Sequence, residues 1–296
     1  MRLRIIALAG AIMLLLAACG GGGGTPTETG TVAPPAAPDM DATGLLKTIQ
    51  EAGVLRVSTD PAYPPQSELN PKTGEYEGFD IDVANEIATR LGVTTEWETP
   101  KWGLLIAGSW NDRWDASVGS MTVTPEREEV LAFSPPYYYT PAVVVVNEDS
   151  TITDPTTELD GKPVGVCGGC TYDFYLQKSL EIHGEMIDFQ IDDATIKSYD
   201  TDSTAIQDLT LDRVDAVITS ATTAQAAVDA GKGVKVIGEP LFYEPLAVAF
   251  DKKSTEDNTM LVEKVSQIVD EMHADGTLTA LSIKWFGQDL TSKVSS

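Results

Sequence analysis

From Leu45 onward the apolar positions follow two alternating rhythms: short uninterrupted runs, and longer stretches in which they return every three or four residues. The runs predict buried strands, and the stretches predict amphipathic helices. Residues 54–57 form a strand that enters the proline-rich loop 58–65, where a helix cannot continue. Residues 78–82 open a helix with Ala84, Ile87, Ala88 and Leu91 on one face, and Gly92 closes it. A strand over 93–97, a helix over 104–109 and a strand over 115–119 follow. The prolines of 135–141 break the alternation ahead of an apolar strand at 142–146. A second series then runs strand 164–166, helix 171–180, strand 187–191, helix 204–211, strand 215–218, helix 221–230 and strand 234–237. Residues 246–250 match the earlier apolar strand in composition, and helices over 260–274 and 278–286 end the pattern. No solenoid-type repeat is visible. Two βα series and two apolar crossing strands predict an α/β fold with two lobes.

The beginning of the chain lies outside this pattern. Residues 1–18 carry two arginines ahead of an apolar run, followed by Cys19, which is the layout of a secretion signal rather than a spanning helix. Leu16-Ala17-Ala18-Cys19 resembles a lipobox, which implies cleavage before Cys19 and a diacylglycerol on its sulfur. The alternative is an ordinary signal peptide with a chance cysteine. Residues 19–44 then read as a lipidated start and a flexible linker, because glycine, threonine, proline and alanine cannot build a core. At 296 residues the chain can still hold two domains. Its formal net charge of −25 argues against nucleic acid and anionic lipid surfaces as partners.

Cys167 and Cys170 are spaced as Cys-Gly-Gly-Cys. In an exported chain this suits a disulfide closing a tight loop; a catalytic thiol pair and a zinc site are alternatives. For zinc no second ligand pair lies nearby, and His183 and His273 read as surface residues. Residues 119–127, Gly-Ser-Met-Thr-Val-Thr-Pro-Glu-Arg, follow a buried strand and enter a helix at Pro125. Backbone N–H groups and hydroxyls converge there, which predicts an anion site. Arg127, one turn further on, can pair with a carboxylate through two parallel hydrogen bonds. Alternatively, Thr124 only caps the helix while Arg127 pairs with Glu126, Glu128 or Glu129 at the surface. No paired carboxylates, Ser/His/Asp set or metal cluster converges, so no catalytic residue, cofactor or metal is expected.

Seven segments taken in order carry a resemblance. They are Asp60-Pro61-Ala62-Tyr63-Pro64-Pro65, Gly78-Phe79-Asp80-Ile81-Asp82-Val83-Ala84, Thr122-Val123-Thr124-Pro125-Glu126-Arg127, Phe133-Ser134-Pro135-Pro136-Tyr137, Asp160-Gly161-Lys162, Val214-Asp215-Ala216-Val217 and Lys284-Trp285-Phe286-Gly287. Together they resemble the solute-binding proteins of amino-acid ABC importers, of the polar-amino-acid type, over residues 45–287. The resemblance implies a type II periplasmic-binding-protein-like fold, each lobe a mixed sheet flanked by helices. Residues 45–140 plus 250–290 would form lobe 1, and 141–249 lobe 2 with the hinge strands. It implies a monomer, not an enzyme, that takes an amino acid or related small carboxylate between closing lobes. The ligand would pass to ABC permease membrane subunits, with the receptor held outside the cell membrane by its lipid anchor. A cleft hydrolase or dehydratase on the same fold and a detached sensor subunit are the alternatives.

Roles follow only where positions match. Arg127 matches the arginine that pairs with the ligand's α-carboxylate, and Ser120 and Thr122 match the donors beside it, with Gly119 and Met121 in the same binding stretch. Thr171 matches a threonine that touches this carboxylate from across the cleft, and Cys170 precedes it where a threonine is common. Tyr63 matches the aromatic that lies on the ligand, Asp60 a position that reads side-chain polarity, and Trp102 one that lines the pocket or belongs to the core. Ser220 stands where an aspartate usually binds the α-ammonium. Either Asp173 or Asp202 then does that work, or the ligand is not a plain α-amino acid. Gln66 replaces an aromatic and would make the pocket floor more polar, and a Cys167–Cys170 bridge would stiffen the site.

Overall fold

The computed structural model describes Asp39 and residues 41–292. The secretion signal, the lipidation of Cys19 and most of the linker lie outside the described residues. The first series runs α1 (Gly44–Ala52), β1 (Val54–Ser58), the short strands β2 (Ala62–Tyr63), β3 (Ser67–Leu69) and β4 (Tyr76–Glu77), α2 (Phe79–Leu91), β5 (Thr94–Glu98), α3 (Trp102–Ile106), β6 (Ala116–Thr122), α4 (Pro125–Glu128) and β7 (Leu131–Asn147). The second runs α5 (Pro155–Glu158), β8 (Pro163–Cys167), α6 (Thr171–Leu176), β9 (Glu181–Ile182), β10 (Glu185–Met186), β11 (Thr195–Tyr199), α7 (Asp202–Thr210), β12 (Ala216–Ser220), α8 (Ala221–Asp229) and β13 (Val234–Asp251), then α9 (Thr259–Ala274) and α10 (Thr277–Phe286).

Eight strands form one mixed sheet in the order β11-β8-β12-β7-β13-β6-β1-β5. Its centre is the antiparallel pair of β7 and β13, 17 and 18 residues long. β12 joins β7 only over Ala142–Val145, whereas β6 joins β13 over Leu246–Ala249. The long pair therefore carries one group of strands near each end. The cores divide in the same way. Leu46, Leu55, Phe79, Ile87, Tyr138, Phe250 and Val265 belong to one, whereas Val144, Val166, Tyr172, Tyr175, Ile218 and Phe242 belong to another.

The rhythm is realised most plainly in α2 and α9. Gly78 turns the chain into α2 at φ 138°, where a Cβ would lie 2.2 Å from the Gln66 carbonyl oxygen. Gly92 ends α2 in the left-handed region, its N–H reaching back to Ala88 and Thr89 carbonyls. α9 buries Leu261, Val265, Ile268, Val269 and Met272, the spacing of one helical face.

Three expectations are corrected. The prolines at 135, 136 and 141 do not interrupt the chain but lie within β7. Along that part β7 pairs only with β13, so its other edge has no ladder to break. Residues 187–191 are not a strand: Ile191 is buried in the core, and the edge strand is β11 instead. The helix predicted over 171–180 stops at Leu176, and Lys178 takes φ 59°. A left-handed residue cannot continue an α-helix.

Phe79 is the packing centre of the first core, fully buried with ring centroids 4.9 Å from Tyr138 and 4.7 Å from Phe286. Phe79→Ala is expected to cost about 3–5 kcal/mol, read as a lower urea midpoint. An unchanged midpoint would contradict this account.

Candidate functional site

The carboxyl ends of the parallel strands β1, β6, β8 and β12 point toward one region between the two strand groups, the place where open α/β sheets receive ligands. A cavity there encloses about 620 Å³ of space, its open mouth included. Asp60, Tyr63, Trp102, Gly119, Ser120, Thr122, Arg127, Cys170 and Thr171 all line it. Two of the expected residues do not. Met121 points to the opposite face of β6 and packs with Leu105, Trp110 and Leu131. Ser220 lies outside the lining, fully buried at the start of α8.

Arg127 reaches the cavity because α4 is a single turn. Pro125 is its first residue and Thr124 its cap, the Thr124 hydroxyl accepting the Arg127 N–H at 3.4 Å. The side chain turns inward and is 3% exposed, so it does not pair with its acidic neighbours at the surface. Nη1 donates to the Thr122 carbonyl at 2.9 Å, and Nη2 to the Gly169 carbonyl at 3.2 Å. Nε has no partner. The guanidinium carbon lies 5.0 Å from the Trp102 ring, whose Nε1 donates to the same Gly169 carbonyl. Trp102 is thus a cavity residue. Burial lowers the Arg127 pKa to about 10, which leaves it charged at neutral pH.

The expected donors beside Arg127 are already engaged. The Ser120 N–H donates to the Tyr137 hydroxyl at 3.0 Å, and its Oγ to Asp80 at 2.7 Å. Asp80 is wholly buried, and burial pushes its pKa up to about 7. The hydroxyls of Thr122 and Thr171 both donate to Oε1 of Glu244, while the Tyr172 hydroxyl donates to Oε2 at 2.8 Å. Glu244 lines the cavity from β13 and is absent from every sequence motif. Its one signal is that it is a lone acid within the otherwise uncharged run 240–250.

The acids offered in place of an aspartate at 220 separate cleanly. Asp173 accepts the Gly169 N–H at 2.9 Å and the Gln177 amide at 2.6 Å, outside the lining. Asp202 lines the cavity at the first position of α7 and is 6% exposed, with Oδ1 unpartnered. Burial, then the charges of Asp60 and Glu244, raise its pKa to about 7. Asp60 is also raised by burial, with Oδ1 accepting the Ala62 N–H at 2.8 Å.

Gln66 does not form the floor. It is fully buried, and Nε2 donates to Ser220 at 3.1 Å and Thr222 at 2.8 Å. Cys167 and Cys170 are bridged, and both line the cavity. Among the described residues no group of His, Cys, Asp and Glu is arranged to hold a metal, and no helix is long and apolar enough to cross a membrane.

Comparison with known proteins gives this geometry a context. The model of the bacterial extracellular solute-binding proteins, family 3, matches residues 55–288. The L-cystine-binding protein TcyJ of Escherichia coli (strain K12) is 32% identical over 250 residues, 84% of this chain and 88% of that protein. The L-arginine-binding protein of Pseudomonas aeruginosa is 30% identical over 253 residues, 83% of this chain and 92% of that protein. The solved structure of the ancestral amino acid-binding protein AncCDT-1, a precursor of cyclohexadienyl dehydratase, superposes with a TM-score of 0.71 at 29% identity, covering 81% of this chain and 99% of that one. The fold shared with these structures is the type II periplasmic binding fold.

Asp202 fixes the sign of a pH effect. Its folded pKa of about 7 exceeds the ordinary 3.8, so the folded state holds the proton more tightly. The ligand-free protein is expected to gain stability as pH falls from about 8 toward about 5, and to lose it as pH rises through the folded pKa. Asp202→Asn should flatten this slope, and Asp80 should supply what remains. Scanning calorimetry across that range reads it, and an identical slope in the variant would refute the assignment.

Proposed function

We propose that this chain, which belongs to the bacterial extracellular solute-binding proteins of family 3, is the receptor of an ABC importer. It captures an amino acid in the cleft and delivers it to the membrane permease. One observation carries the reading: Arg127 is buried between the two strand groups with Nε unpartnered, in the lining of the cavity. A ligand carboxylate is the natural acceptor for it. On this reading residues 45–140 plus 250–290 act as one lobe and 141–249 as the other. β7 and β13 serve as the hinge strands, and contacts from both lobes couple closure to occupancy.

The matched curated relatives are named as binding proteins, for L-cystine and for L-arginine among others, which supports capture without turnover. Asp60, which lines the cavity, is the acceptor offered to the ligand's ammonium in place of an aspartate at 220. The lipobox-like Leu16-Ala17-Ala18-Cys19 supports a tether at Cys19 that keeps the receptor outside the cell and beside its permease. We expect it to act as a monomer.

Isothermal titration of the purified protein, unfolded and refolded to strip bound ligand, should find an amino acid with a Kd of about 1 μM or tighter. Arg127→Ala should weaken it by about 100-fold or more, as expected for a charged, buried partner. Absence of binding across the amino acids, or an affinity indifferent to Arg127→Ala, would sink the reading.

A further inference from the structure

Acids dominate the cavity. Asp60, Asp202 and Glu244 line it together with Asp200 at the exposed rim, against the one arginine Arg127; Lys101 stands in the adjoining mouth. Glu244 is 3% exposed, on the strand that runs between both groups of the sheet. Thr122 from β6 and Thr171 and Tyr172 from α6 each give it a hydroxyl proton. Three donors converging on one carboxylate suit the ionised form, which accepts all three and has no proton of its own to place. The same bonds fix the side chain in place.

Asp202 approaches the same space from α7 with an unpartnered oxygen. Tyr63 lines the same cavity, and burial, with the charges of Asp202 and Glu244, pushes its hydroxyl pKa up. Arg127 makes no ion pair with these acids: Nη1 donates to the Thr122 carbonyl and Nη2 to the Gly169 carbonyl, its charge acts on Glu244 only through space, and one cation does not balance the acids of the cavity. Buried carboxylates without a cation are costly, and a cationic ligand group relieves that cost.

We propose that Glu244, together with Asp202, is a fixed anionic subsite that sets specificity, selecting amino acids with a positively charged side chain over neutral ones of the same shape. This rests on the amino-acid receptor reading above. The α-carboxylate and α-ammonium of a plain amino acid cancel each other and leave the excess of acids unanswered; a basic side chain answers it. The Thr122 and Thr171 hydroxyls, committed to Glu244, orient the anion for that side chain, and Arg127 is left for the ligand's carboxylate. Burial raises both acids, so a bound cation favours loss of their protons. Affinity should accordingly weaken as pH falls below about 7, the range set by Asp202 with Asp60, Asp200, Glu244, Arg127, Tyr63 and Tyr172 around it.

The test is isothermal titration of the refolded, ligand-stripped protein with L-arginine, L-lysine, L-citrulline, L-glutamine and L-glutamate. L-citrulline keeps the outline of L-arginine but replaces the guanidinium with a neutral urea. L-arginine or L-lysine is expected to bind at least about 10-fold tighter than L-citrulline, the loss of one charged hydrogen bond. Glu244→Gln, checked for folding by its melting transition, should shrink that gap to within about 3-fold, a difference under 1 kcal/mol. The comparison in the unaltered protein stands even if the variant does not fold. Equal affinity for L-arginine and L-citrulline, preference for a neutral or acidic amino acid, or full discrimination in a folded Glu244→Gln would overturn the inference and leave the receptor reading intact. Binding of none of these amino acids would overturn both.

Discussion

A guanidinium taken out of water must be ringed by acceptors, and Arg127 draws its acceptors from both groups of strands. The Thr122 carbonyl comes from β6, and the Gly169 carbonyl from the loop ahead of α6. The surrounding local structure serves this arrangement. Pro125 and Thr124 set the single turn that aims the side chain inward, and Trp102 begins α3 where its ring covers the guanidinium and its Nε1 shares the Gly169 carbonyl. The Cys167–Cys170 bridge closes the loop that presents that carbonyl, and Asp173 accepts the N–H on its other side.

Two departures that stand far apart in the sequence are one contact in space. The resemblance implies an aromatic at Gln66 and an acid at Ser220, and here the amide of the first donates to the hydroxyl of the second. With Thr222 and Thr223 they make a buried polar cluster in which small hydroxyls and an amide satisfy one another without a charge. Ser220 brings no charge, whereas Asp202 and Glu244 do line the cavity. These acids stand on the helix α7 and on the long strand β13.

Much of the fold was legible because its signals are local. The three-and-four spacing of α9 and the glycine closure of α2 need only neighbouring residues to be read. The inward position of Arg127 on the cavity was legible as well, because proline, cap and arginine lie within one turn. What escaped depends on partners distant in sequence. Prolines 135, 136 and 141 read as a break, and only pairing with β13 alone makes them tolerable in a strand. Glu244 looked like one acid among many. Its importance comes from Thr122 and Thr171, 122 and 73 residues away. Met121 was wrongly placed in the cavity because a strand alternates its faces, and β6 extends through Thr122 rather than ending at Gly119.

The acceptor shared by Arg127 and Trp102 is a main-chain oxygen, and no point mutation deletes a carbonyl. Gly169 itself is constrained, with φ 74° and the Ile106 side chain 3.2 Å from where a Cβ would stand. By contrast, positions 66, 202, 220 and 244 contribute through side chains, which substitution can change freely. The contact between Arg127 and Gly169 and the side chains at 66, 202, 220 and 244 are therefore written in separable parts of the chain. Substitution can alter those side chains while the main-chain contact is kept.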